Sequence, residues 1–159
     1  PAIINAKKQS EELYYTRLQK LYDLMVWLAI AIALPMTFLS DWVVNLLYGN
    51  AYQEAGSVLM IHIWTGVFVF LGVAFSRYLI AENLMMKSFY RTALGAILNI
   101  IFNFILIPKY GIYGAAIATL LGQMAANLIY DIFDKSLWSQ LKMKLKAIFP
   151  IYLIQGVQK

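Results

Sequence analysis

The chain falls into four long apolar runs separated by short polar connections, at about residues 24–47, 57–80, 90–108 and 111–133. Each is close to the roughly 17–25 residues that an α-helix needs to cross a bilayer. None of them alternates polar and apolar residues, as the strands of a membrane barrel must. The predicted fold class is therefore all-α: a polytopic membrane helix bundle with four transmembrane helices. Pro35, inside the first run, lacks a backbone N–H and predicts a kink there. Pro108 closes the third run, and Gly111 and Gly114 just beyond it predict a tight turn into the fourth.

Two flanking pieces have a helical period but are not spans. In residues 1–23 the stretch "EELYYTRLQKLYDLM" puts Tyr14, Leu18, Leu21 and Met25 on one stripe, with its charges elsewhere. In residues 134–159 the stretch "KSLWSQLKMKLKAI" puts Leu137, Leu141, Leu145 and Ile148 opposite its lysines. Both predict amphipathic interfacial helices, the second a basic helix resting on anionic membrane lipid. The closing "FPIYLIQGVQK" is too short to span.

Composition agrees with lipid as the solvent. The 159 residues are 62% hydrophobic and 13% charged, where a soluble domain carries about 25% charged residues. With no cysteine, disulfides, thiolate metal sites and cysteine nucleophiles are excluded. The chain begins at Pro1 with no signal-peptide pattern ahead of its first apolar run, and reads as a piece of something longer.

A net charge of +5 would point to nucleic acid in a soluble protein. Here its distribution changes the reading. Lys109 lies between the third and fourth runs, and the other 12 of the 13 lysines and arginines lie at the opposite ends of the spans. The positive-inside rule then places both termini in the cytoplasm, and no nucleic-acid partner is implied.

No catalytic constellation stands out. There is one histidine, and the eight acidic residues are scattered; Gly111 and Gly114 are followed by no Gly-Lys-Ser/Thr. An enzyme is not expected, nor a metal or cofactor. What remains is polarity inside the spans, which is costly there and so faces protein or water. Asn99 and Asn103 lie one turn apart on the third span; Thr119, Gln123, Asn127 and Asp131 form a stripe on the fourth. Asn99 and Gln123 have two readings: amides bonded across the helix pair, which is the ordinary use of such residues, or the lining of a hydrated cavity. Asp131, near the inner end, reads as a solvated or snorkelling acid, and His62 as an interfacial hydrogen-bonding residue. Arg77 and Arg91, at the inner ends of spans two and three, either snorkel or contact a lipid-linked phosphate, for which a planar guanidinium is suited.

Beside the polar stripe, Gly114, Ala118, Gly122 and Ala126 fall every fourth residue. Helices in lipid associate through close backbone approach, which small residues permit, so this face predicts tight packing against another helix.

The motifs "LLYGNAYQEAGSVLMI" (46–61) and "YLIAENLMMKSFYRTALGAILNIIFNFILIPKYGIYGAAIATLLG" (78–122), with the opening "PAIINAKK", resemble the C-terminal half of bacterial polysaccharide repeat-unit flippases. These are the O-antigen and capsule translocases of the multidrug/oligosaccharidyl-lipid/polysaccharide exporter superfamily. The resemblance implies part of a two-lobed transporter of about twelve to fourteen helices, with about eight helices and the N-terminal lobe of the same polypeptide preceding this segment. It implies alternating-access translocation of undecaprenyl-diphosphate-linked oligosaccharide in the bacterial inner membrane, as a step of surface polysaccharide or lipopolysaccharide synthesis. Arg77, Arg91, Asn99, Gln123 and Asn127 are the candidate substrate-binding residues. Two other readings stay open: a drug/cation antiporter of the same superfamily, and a small four-helix membrane scaffold protein.

Overall fold

The computed structural model describes residues 2–149. They form α1 (Ala2–Gln9), α2 (Glu11–Tyr48), α3 (Gln53–His62), α4 (Thr65–Ala81), α5 (Met85–Met124), a π-helical turn (Ala125–Ile129), α6 (Tyr130–Phe133) and α7 (Trp138–Ile148), with short 3-10 turns at Asn50–Tyr52 and Lys135–Leu137. No strand occurs among the described residues.

Two helical stretches, Glu11–Tyr48 and Met85–Phe133, are long and apolar enough to cross a membrane. A third span results if Asn50–His62 and Thr65–Ala81, bent by 43° at their junction, are one broken span. That break falls inside the predicted run 57–80, where β-branched Ile63 and Thr65 with Gly66 make a weak helical stretch. The Trp64 indole N–H leaves the junction to donate to Thr37 Oγ1 at 3.1 Å.

No break separates the predicted amphipathic segment from span one. Ser10 caps α2, its hydroxyl accepting from the Leu13 N–H, and Glu11 and Glu12 favour the positive end of the helix. From there α2 runs through residue 23 and through Pro35 to Tyr48. Tyr14, Leu18, Tyr22 and Val26 form its buried stripe and meet Leu71, Phe75, Tyr78 and Leu79 of α4 in the main core.

The stretch Met85–Phe133 folds back on itself. Gly111, with φ 56° and ψ −132°, is the one non-helical residue inside α5, in a region that is nearly glycine-only. The arms on either side are antiparallel and touch backbone to backbone. A Cβ added to Gly95 would lie 2.7 Å from Ala126 Cβ, and one on Gly122 would lie 2.9 Å from Asn99 Cβ. Near the bend, Gly114 sits against the Leu106 carbonyl. Gly114, Ala118 and Gly122 are buried, as is Ala126; the two contacts at Gly114 and Gly122 identify the opposing surface as the preceding arm.

The ends of several elements meet at one end of the bundle. Lys7 pairs with Glu82 at 2.9 Å and donates to the Ala81 carbonyl. Lys87, in the first turn of α5, pairs with Asp134, whose carboxylate also accepts from the Ser136 N–H. Burial alone would raise the Asp134 carboxyl, but the hydrogen bonds from Lys87 and Ser136 outweigh it and hold the group below the usual carboxylate range.

The terminal helix differs from expectation. Its buried face is Gln140, Lys144 and Ala147, following the buried Leu137 of the preceding turn, while Leu145 is exposed. The leucine stripe loses because Lys144 has a buried partner in the bundle, Asp131. Residues 150–159, which include most of the closing segment, lie outside the described residues.

Candidate functional site

A cavity of about 450 Å³ opens between α4 and the two arms of the hairpin. Four of the five predicted substrate-binding residues line it: Arg91, Asn99, Gln123 and Asn127. Arg77 is exposed and does not line it. Ser76 and Gly72 of α4, and Thr92, Gly95 and Thr119 of the hairpin, complete its polar and small surface.

Arg91 is buried at 7% exposure. One guanidinium nitrogen donates to Asn127 Oδ1. The other donates to Ser76 Oγ at 3.1 Å and to the Gly72 carbonyl at 3.3 Å. Nε has no partner among the described residues, and the group lies 5.2 Å from the Phe75 ring centroid. Gly72 is needed there, because a Cβ would collide with the Asn127 amide and come 3.3 Å from Arg91 Nη1.

Among the described residues, the amide hydrogen bonds stay within each arm of the hairpin. Asn103 donates to Asn99 Oδ1 at 3.1 Å within one arm, and Asn127 donates to Gln123 at 2.9 Å (carbonyl) and 3.2 Å (Oε1) within the other. The Asn127 NH₂ is thus spent on Gln123, which leaves its oxygen to face Arg91.

Beneath Asn127 lies an ion pair that the sequence reading missed. Asp131 Oδ2 and Lys144 Nζ are 2.6 Å apart, and both side chains are fully buried. Asp131 is therefore neither solvated nor snorkelling. Lys144 Nζ also donates to the Asn127 carbonyl at 2.9 Å and sits 3.5 Å from the Phe75 ring centroid. Burial pushes the Lys144 ammonium down to about 8, against the upward pull of Asp131. That carbonyl belongs to the π-helical turn. A five-residue repeat there, closed by the Tyr130 N–H on the Ala125 carbonyl, interrupts the ordinary α-helical ladder.

The alternative face of α7, with Gln140 and Lys144 four residues apart between Leu137 and Ala147, is the sequence signal that would have found this pair. Ser76 and Gly72, also four apart on one face of α4, are the corresponding signal for the Arg91 seat. No cluster of three or more histidine, cysteine or acidic side chains suited to a metal occurs among the described residues.

Apolar helices of spanning length, with a polar cavity between them lined by a buried arginine, amides and hydroxyls, define a multi-pass membrane protein. The chain belongs to the family described as lipid II flippase MurJ, whose model matches residues 1–157. Members of that family are flippases, transporters rather than enzymes. The chain is also 24% identical over 139 residues (87% of this chain, 35% of the relative) to the capsular polysaccharide biosynthesis protein CapF of Staphylococcus aureus. It is 33% identical over 105 residues (64% of this chain, 20% of the relative) to the uncharacterized membrane protein MJ1068 of Methanocaldococcus jannaschii. It thus spans a little over a third and a fifth, respectively, of the curated relatives it matches. No solved structure matches it.

Proposed function

We propose that this chain is part of a flippase of the cytoplasmic (inner) membrane that moves undecaprenyl-diphosphate-linked oligosaccharide repeat units of a surface polysaccharide by alternating access. In this reading both arms of the Gly111 hairpin are spans, which with α2 and the bent α3–α4 pair makes four. The termini face the cytoplasm, and the chain works with a preceding lobe of the same polypeptide. The observation that carries the reading is Arg91: a buried guanidinium at a cavity whose other polar lining is amides and hydroxyls. A planar cation with an unpartnered Nε suits a diphosphate, and neutral amides suit sugar hydroxyls.

The test is Arg91→Ala in the full-length protein, in cells that depend on it for surface polysaccharide. Polysaccharide should fall sharply at unchanged protein level; wild-type amounts would remove the diphosphate contact. Sidedness is tested by impermeant thiol labelling from outside, which should reach Glu54→Cys and not Lys87→Cys; the reverse pattern would invert the topology.

A drug/cation antiporter is favoured by one observation, the buried Asp131 carboxylate with its Oδ1 unpartnered. Resistance to cationic drugs that disappears in Asp131→Asn, with polysaccharide intact, would select that reading.

A further inference from the structure

We infer that Lys144, on α7 and outside the spans, is a positioning residue for the cavity: it holds the π-helical turn that aims Asn127 at Arg91. The inference rests on the flippase reading for its functional consequence, but its geometry stands apart from it.

The connection is continuous. Lys144 Nζ is shared between the Asp131 carboxylate, at 2.6 Å, and the Asn127 carbonyl, at 2.9 Å. These two acceptors lie four residues apart and straddle the end of the Ala125–Ile129 turn, so one cation fixes both sides of it. A π turn holds one more residue than an α turn, and removing that extra residue rotates the remainder of the helix by about 100°. Without Lys144, the Asn127 carbonyl and the Asp131 carboxylate lose their shared donor. Reversion to the α register is then the nearest way for the backbone to satisfy itself. That reversion carries the Asn127 amide away from Arg91, which keeps only Ser76 and the Gly72 carbonyl.

The experiment reads the charge at the cavity without any substrate. In a cysteine-free background of the full-length protein, Thr92→Cys places a thiol on the cavity lining beside Arg91. The quantity is the ratio of its reaction rates with an anionic and a cationic methanethiosulfonate, in which thiol reactivity cancels. Arg91→Gln sets the floor of that ratio. The neutral pair Asp131→Asn/Lys144→Met removes the donor without stranding a charge. Asp131→Asn/Lys144→Leu, a second neutral pair with a shorter apolar side chain, is the second variant in case the first does not fold.

In whichever variant folds, the ratio should fall by about threefold or more toward the floor, as expected for displacing one nearby charge. Surface polysaccharide should fall with it. An unchanged ratio would overturn the inference whatever happens to transport. A fallen ratio with full polysaccharide would overturn the role in transport. Failure of the flippase reading itself shows separately, as normal polysaccharide in Arg91→Ala.

Discussion

Lys144 and Asp131 form an ion pair with 2.6 Å between Nζ and Oδ2 and no solvent exposure on either side chain. The two residues belong to different elements, α7 and α6, so their contact is one of the pins that hold the terminal helix to the bundle. Removing one partner leaves an uncompensated buried charge, whereas removing both does not. Asp131→Asn or Lys144→Met alone should therefore each destabilise the protein by about 3–5 kcal/mol, and the double variant by much less than the sum. Thermal unfolding of the purified full-length variants in detergent measures this. Additive losses would show that the pair is not coupled.

The hairpin arms touch where side chains are absent. Gly95→Ala would bring a Cβ to 2.7 Å from Ala126 Cβ and 2.9 Å from the Gly122 carbonyl. An overpacked contact of this kind typically costs about 1–3 kcal/mol, and Gly122→Leu should cost more, seen as lost monodisperse yield. Gly66→Ala, where a Cβ meets nothing within 4 Å, is the control and should fold normally. Equal yields in all three would reject close packing of the arms.

Gly111 is a separate case, because nothing lies within 4 Å of a Cβ there and the obstacle is its φ of +56°. Gly111→Ala should cost about 1–3 kcal/mol through backbone strain alone. Gly111→Asn should recover little of that, since asparagine's tolerance of positive φ is mostly confined to the left-handed helical region and ψ here is −132°. Comparing the melting temperatures of the two variants checks the point; alanine equal to glycine would mean that the chain does not turn there.

The Lys87–Asp134 pair gives a pH dependence of definite sign. The Asp134 carboxyl lies below its ordinary value of 3.8, so the folded chain holds this proton less tightly than the unfolded chain. Its contribution is complete above that value and is lost as pH falls through the folded pKa. Melting followed from pH 6 down to about 3, where unperturbed aspartates titrate, should drop more steeply for the parent than for Asp134→Asn. Parallel curves would show that the pair adds nothing.

The hairpin was legible because its signals are local. Two apolar runs have the length of a bilayer, and Gly111 is the residue between them that can adopt the turn. The amides and Arg91 were legible because a polar residue inside an apolar run stands out against it. Ser76 and Gly72 do not stand out in this way, so the α4 side of the Arg91 seat went unseen. The break at Ile63–Trp64 carries no proline, and the weak propensities there decide little until Trp64 finds Thr37. The π-helical turn is a slip of one residue in register, which hydrophobic periodicity does not record. In α7 two faces competed. The leucine stripe is the more apolar, but the ion pair with Asp131, a contact distant in sequence, selected the other.

That selection changes where the last span can be said to stop. A cut placed after Phe133, at the end of the apolar run, would remove Lys144 and leave the Asp131 carboxylate facing the interior with no counter-charge, together with an unclaimed Asn127 carbonyl. The basic helix α7 is therefore the closing piece of the helix before it, and a unit that keeps the Asp131 charge paired extends at least through Lys144.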